Sequence, residues 1–137
     1  MPTVSGVLEV SLYVDDLDRS AEFYSKLFQF KILTSDERLC ALSVDGRQVL
    51  QLFRKGSTSQ PTETRGGSIP AHGGSGEVHV AFSIAEADWG VWRESLKNAG
   101  VAVESEVTWL AGGRSMYFRD PDRNLVELIT QGAWSIY

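Results

Sequence analysis

Apolar and polar residues alternate in short runs along this chain, and a helical pattern interrupts the alternation twice. The segment "VLEVSLYVDD" alternates with a period of two, which predicts a strand, and the next segment, "LDRSAEFYSKLFQF", places its apolar residues at helical spacing. Three more strands are predicted in "FKILT", "ERLCALSV" and "RQVLQLFR". The first half of the chain is therefore predicted to form a β-α-β-β-β unit.

The same order of elements returns in the second half. "EVHVAFSI" predicts a strand, "DWGVWRESLKNAG" a helix that ends near Gly100, and "VAVESEVTW" a further strand. "GRSMYFRD" and "NLVELIT" form a predicted hairpin around the turn sequence "DPDRN". Because neither unit has enough core of its own, we expect an α+β fold in which two β-α-β-β-β modules form a curved, barrel-like mixed sheet with the helices outside.

The repeat divides a single predicted domain, 1–137, into parts. The first module is expected at 5–54, the second at 77–131 and a tail at 132–137. Between the modules, 55–76 is rich in Gly, Ser, Thr and Pro, which predicts a long linker or a lid.

Composition narrows the classes of partner. The net charge is −5 and the 13 Lys and Arg residues are scattered, so no basic patch for nucleic acid or anionic lipid is predicted. Cys40 is the only cysteine, which excludes an intrachain disulfide and suits a reducing compartment. The first residues lack a basic start, and Glu9 interrupts their apolar stretch, so they predict neither a signal peptide nor a membrane span. We therefore expect a cytoplasmic protein whose partner is a small molecule or another protein.

Strand alternation also predicts which side chains point away from the helices. In the first strand these are Glu9, Ser11 and Tyr13, and in the matching strand of the second module they include His79. Superposing the two modules pairs Glu9 with His79 and pairs Gln51 with Glu127. All four of these side chains carry atoms that bind metal ions.

A metal ion would explain why two carboxylates point into the same region. Two carboxylates about 4 Å apart repel by about 4 kcal/mol at an effective dielectric constant of 20. A divalent cation bound by Glu9, Gln51, His79 and Glu127 would leave the set formally neutral.

Structural roles for the same residues stay open at this point. His79 could be a core histidine that hydrogen bonds with a backbone carbonyl. Gln51 could be an inward-facing side chain that only forms hydrogen bonds within the protein. Glu127 could pair with Arg114. Glu9 could pair with Arg47 or Arg54.

The chain resembles the vicinal oxygen chelate superfamily, which includes glyoxalase I, fosfomycin-resistance proteins, bleomycin-resistance proteins and extradiol dioxygenases. The resemblance is carried by "LYVDDLDRSAEFYSKLFQF", "HVAFSI" and "SMYFRDPDRNLVELIT". It implies that His79 and Glu127 are metal ligands. Glu9 falls where many members place a histidine or glutamine, and Gln51 falls where glyoxalase I members place a glutamate.

This ligand set favours redox-neutral chemistry. The two-histidine, one-carboxylate set of many Fe(II) oxygenases is missing. The resemblance instead implies a lyase, isomerase or transferase in which a divalent metal (Mn, Ni, Co, Zn or Fe) acts as a Lewis acid, while Glu9 or Glu127 moves a proton. One alternative is a metal-free binding protein like the bleomycin-resistance proteins, and another is an extradiol-type Fe(II) dioxygenase.

Further side chains are expected around this centre. The resemblance implies ligand contacts for Ser115 and Tyr117, and Arg114 could bind a substrate carboxylate or phosphate, or form an ordinary salt bridge. His72 lies on a glycine-flanked loop that could close over the pocket. The predicted aromatic walls are Tyr13, Phe53, Trp109 and Trp134.

We also expect a homodimer. The modules end in open strand edges that need cover, and the tail "GAWSIY" would otherwise expose large apolar residues. Relatives of this shape are mostly dimers, and the symmetry would be two-fold.

Overall fold

The computed structural model describes residues 1–137, which form two compact units, Met1–Ser75 and Gly76–Tyr137. The first unit contains β1 (Glu9–Val14), α1 (Leu17–Phe28), β2 (Lys31–Ser35), β3 (Leu39–Val44), β4 (Gln48–Arg54), β5 (Thr62–Thr64) and β6 (Gly67–Ile69). The second contains β7 (His79–Ser83), a 3₁₀ turn (Glu86–Asp88), α2 (Trp89–Asn98), β8 (Ser105–Thr108), β9 (Arg114–Arg119) and β10 (Leu125–Ile129).

The first unit is built on a four-stranded mixed sheet in the order β1-β4-β3-β2. Strand β1 runs parallel to β4, and the other neighbours are antiparallel. Asp16 caps the start of helix α1, because its side chain accepts a hydrogen bond from the Arg19 amide at 3.0 Å. The helix packs against β3 and β4. Leu12 and Leu50 are buried on the helix side of the sheet. The opposite side, here called the helix-free face, carries Glu9, Ser11, Tyr13, Gln51 and Phe53.

The second unit repeats this topology with the strand order β7-β10-β9-β8. Strand β7 runs parallel to β10, and β9 pairs antiparallel with both β8 and β10. One face of this sheet is fully buried, with Met116, Phe118, Val126 and Leu128 at 0% exposure. The other, here called the His79 face, carries His79, Ser115, Tyr117 and Glu127.

These two mixed sheets confirm the predicted α+β class and the repeated β-α-β-β-β order, and each sheet is open at its edges. Helix α2 ends close to Gly100, as the sequence predicts. Gly100 has a φ of +70°, a conformation that suits glycine just beyond a helix.

The segment 55–76 contains ordered structure that the sequence pattern did not predict. Strands β5 and β6 form a short antiparallel hairpin within it. Its base is closed by buried Thr58, which bonds the main chain of His72 twice. The segment therefore forms a tied loop of the first unit.

No helix of the chain combines the length and apolar character that crossing a membrane requires.

Candidate metal centre

His79 and Glu127 form the best-defined polar pair of the second unit. Glu127 Oε2 lies 3.0 Å from His79 Nε2, and the side chains are 7% and 48% exposed respectively. The other ring nitrogen, Nδ1, lies 2.9 Å from the carbonyl oxygen of Leu125. A carbonyl oxygen only accepts hydrogen bonds, so Nδ1 must carry a hydrogen. In the neutral imidazole, Nε2 then has a lone pair, and this lone pair faces the carboxylate.

This arrangement fits a bound cation. An ionised carboxylate and an unprotonated Nε2 are both acceptors, so their contact needs a proton or a positive ion between the two groups. A metal-binding histidine also commonly donates its other ring N–H to a backbone carbonyl, which fixes the orientation of the ring.

The turn between β9 and β10 positions His79. Asp120 Oδ2 accepts a hydrogen bond from the Asn124 side-chain nitrogen at 2.9 Å, and both residues are buried. Asn124 Oδ1 then accepts a hydrogen bond from the Val78 amide at 3.1 Å, next to His79. The sequence "DPDRN" contains Asn124 but predicts only a turn, so this role of Asn124 was not predicted.

A second polar chain on the His79 face involves Tyr117. It lies directly across from Glu127 in the ladder, and its ring centroid is 6.3 Å from that of His79. Burial raises the pKa of Tyr117; the Ser115 hydrogen bond opposes this rise and Glu127 adds to it. The Trp109 indole donates a hydrogen bond to Ser115 Oγ at 2.8 Å. Three residues predicted to bind substrate, Trp109, Ser115 and Tyr117, thus lie together beside a predicted metal ligand.

The first unit brings together the other two predicted ligands. Gln51 Nε2 donates a hydrogen bond to Glu9 Oε2 at 3.3 Å, and Ser11 Oγ donates to Gln51 Oε1 at 2.8 Å. Ser11 is directly opposite Gln51 in the β1–β4 ladder, so strand register fixes this contact. No three His, Cys, Asp or Glu side chains form one cluster in the structure; the candidate ligands occur as two pairs, one in each unit.

Two of the predicted aromatic walls also lie on the helix-free face of the first sheet. Tyr13 and Phe53 are cross-strand partners whose rings stack at 6.0 Å. His72 from the tied loop contacts both rings.

Arg114 and Trp134 are the remaining predicted substrate contacts. Arg114 alternates with Ser115 along β9, so it lies on the opposite face of the sheet. There it pairs with Glu86 and covers the Trp89 ring at 4.2 Å, which is the salt-bridge alternative left open by the sequence. Trp134 is 72% exposed in the tail.

The glycines before Arg114 permit a close approach by the chain itself. A Cβ on Gly113 would lie 2.6 Å from the backbone carbon of Gly132, so the tail backbone packs directly against this turn.

Two β-α-β-β-β units with imidazole, amide and carboxylate donors on their sheets define a glyoxalase-type protein. The model of the Glyoxalase/Bleomycin resistance protein/Dioxygenase superfamily matches residues 6–128, and the chain belongs to this superfamily.

Individual relatives agree with this assignment. The chain is 29% identical over 128 residues to the metallothiol transferase FosB of Bacillus licheniformis, and the match covers 93% of this chain and 76% of the relative. It is 26% identical over 131 residues to the fosfomycin resistance protein FosX of Listeria monocytogenes, with 91% and 89% covered. The crystal structure of lactoylglutathione lyase from Agrobacterium tumefaciens superposes with a TM-score of 0.88 and 30% identity, covering 98% of this chain and 99% of the other. The transferase and the lyase are enzymes by name, which supports an enzyme of the glyoxalase superfamily here.

Proposed function

We propose that this chain is a metal-dependent enzyme that catalyses a redox-neutral lyase, isomerase or transferase reaction on a small oxygen-bearing substrate. The observation that carries the proposal is the contact between His79 Nε2 and Glu127 Oε2. The other ring nitrogen, Nδ1, donates its hydrogen to the Leu125 carbonyl, so Nε2 is left with a lone pair. A histidine prepared in this way presents a lone pair next to a carboxylate, as a metal site requires.

Four residues would hold the divalent cation: Glu9, Gln51, His79 and Glu127. The two carboxylates would balance its charge, and the imidazole and amide are neutral donors. When bound, the cation would supply Lewis-acid polarisation of a substrate oxygen. Gln51 would have to turn its amide oxygen away from Ser11, and after that turn its nitrogen could donate to the Ser11 hydroxyl.

Glu9 is the better candidate for moving a proton. Its carboxylate is exposed and hydrogen bonds with the Gln51 amide, so a substrate can approach it. Glu127 is buried between His79 and Tyr117, which suits a fixed ligand better than a mobile proton carrier. The geometry therefore favours Glu9 as the acid–base group.

The relatives support a small polar substrate. Their names specify a thiol, fosfomycin and lactoylglutathione, which are small molecules. Tyr13 and Phe53 in the first unit, and Trp109, Ser115 and Tyr117 in the second, are the proposed substrate contacts.

Metal content tests the proposal. Protein purified without chelator should contain about one equivalent of Mn, Ni, Co, Zn or Fe, and His79→Ala and Glu127→Ala should lose it. His72→Ala is the matched control, because it removes the only other histidine and should keep the metal. Full metal content in both ligand variants would reject the proposed centre, and a metal-free wild type that binds none of the five ions would favour a binding protein.

A further inference from the structure

His72 is the one histidine outside the candidate metal centre, and its ring lies in an aromatic corner of the first unit. Its Nδ1 is 2.5 Å from the Tyr13 hydroxyl oxygen. The ring meets Phe53 edge-on, with centroids 4.8 Å apart and planes at 79°. An imidazole, a phenol and an apolar ring therefore share one corner of the helix-free face.

The side chain of His72 is not needed to close the loop that carries it. Thr58 already ties the main chain of His72 at two points: its carbonyl accepts from the His72 amide at 3.0 Å, and its hydroxyl donates to the His72 carbonyl at 2.6 Å. Any residue except proline could form these two bonds at position 72, since the atoms that position 72 contributes belong to the main chain. The imidazole is therefore free for another role.

Gly74 holds the same segment close to Tyr13. A Cβ at this position would lie 2.5 Å from the Tyr13 ring, so only glycine allows the chain to pass there. The neighbouring Gly73 has open space around it. The tied loop thus fixes the orientation of the phenol from one side, while Phe53 stacks near the ring.

The pair always presents a hydrogen-bond donor. If the Tyr13 hydroxyl donates to Nδ1, the neutral imidazole carries its hydrogen on the exposed Nε2. If Nδ1 donates instead, the phenol hydrogen is free to point outward. A doubly protonated imidazole leaves both donors available. No carboxylate of the chain hydrogen bonds with His72, so these donors are unused within the protein.

We propose that Tyr13 and His72, with the Phe53 ring beside them, form a subsite that binds a carboxylate or phosphoryl group of the substrate. Tyr13 follows Ser11 by two residues, so the subsite lies about 7 Å along β1 from the Ser11–Gln51 pair. A substrate that reached Glu9 and Gln51 would extend toward it. This assignment as part of a substrate site rests on the proposed function, although the binding of an oxyanion can be measured without it.

The two histidines make a direct test possible. In a proton–carbon NMR spectrum of the full chain, the imidazole Cε1–H groups give two signals, which His72→Gln and His79→Gln assign. Inorganic phosphate is added at constant pH, against chloride at matched ionic strength. We expect a saturable shift of the His72 signal that chloride does not reproduce.

Three variants test whether Tyr13, His72 and Phe53 form a preorganised binding site. Tyr13→Phe should weaken phosphate binding about tenfold, the effect of losing one hydrogen bond to a charged group. Gly74→Ala should also weaken it by displacing the loop from Tyr13, whereas Gly73→Ala should bind as the wild type does. Absence of a saturable shift, or equal affinity in the wild type, Tyr13→Phe and Gly74→Ala, would overturn the inference.

The same spectra separate this inference from the proposed function. Metal addition is read on the His79 signal and phosphate addition on the His72 signal. If the His79 signal does not shift when metal is added, the result counts against the metal centre alone. If the His72 signal does not shift when phosphate is added, the result counts against the subsite alone.

Discussion

His79 and Leu125 are cross-strand partners, and the carbonyl of Leu125 fixes the hydrogen of His79 on Nδ1 at 2.9 Å. This bond leaves Nε2 as the nitrogen that faces Glu127. Since the parallel pairing of β7 with β10 sets the register, the strand ladder itself orients the histidine for its proposed role as a ligand.

Asn124→Ala should weaken both the fold and the metal centre. The substitution removes the acceptor for the Val78 amide and the donor to buried Asp120, so we expect a loss of about 1–3 kcal/mol in the free energy of unfolding. Because Val78 precedes His79, metal affinity should also fall about 10–100-fold, as it does when other residues that orient a metal ligand are changed. Urea unfolding and metal titration measure the two effects. Asn98→Ala, at an exposed position, is the control, and equal behaviour of the two variants would contradict the role assigned to Asn124.

Much of the candidate site follows from residue periodicity alone. The alternation in β1 placed Glu9, Ser11 and Tyr13 on one face, and the ladder shows the corresponding contact of Ser11 with Gln51. The same rule separates Arg114 from Ser115, so the side of the sheet on which Arg114 lies was also predictable from sequence.

The remaining contacts depend on tertiary structure. Tyr13 and His72 are 59 residues apart, and the loop that joins them has no periodic pattern, so no local signal predicts their hydrogen bond. The contact of His79 with Leu125 likewise requires the register between two strands 46 residues apart.

The protein should sediment as a homodimer at micromolar concentration. Large apolar side chains are exposed at both ends of the chain, including Val4 and Val7 at 90% and 70% and Ile136 at 95%, and a second copy would cover them. A monomer under these conditions would contradict this expectation.

Co-expression of Glu9→Ala with His79→Ala shows how the ligands are shared. If each centre combines ligands from two chains, mixed dimers should regain some metal sites that neither variant has alone. If each centre is built within one chain, mixed dimers should regain none. Metal content of the purified mixed dimer distinguishes the two arrangements.

Turnover should not depend on oxygen. The missing two-histidine iron set favours Lewis-acid chemistry, so rates measured in air and under anaerobic conditions should be equal for any substrate that is found. Oxygen consumption in step with product formation would instead indicate a dioxygenase.

Cys40 should make stability fall at alkaline pH. Burial raises the pKa of its thiol in the folded chain; Ser35 opposes the shift and Asp18 adds to it. The unfolded chain therefore loses this proton at lower pH than the folded chain, so the free energy of unfolding should decrease as pH rises through the usual thiol range. Urea midpoints compared with those of Cys40→Ala isolate this contribution, and parallel pH profiles would contradict it.

Nitrogen NMR of the His79 ring tests the metal centre most directly. On addition of one equivalent of Zn²⁺, the Nε2 resonance should shift to a metal-bound position while Nδ1 keeps its hydrogen, because Leu125 holds that hydrogen in place. Glu127→Gln should weaken this response, and the His72 ring should stay unchanged. A Zn²⁺ response confined to His72, or none at either ring, would contradict the proposed centre.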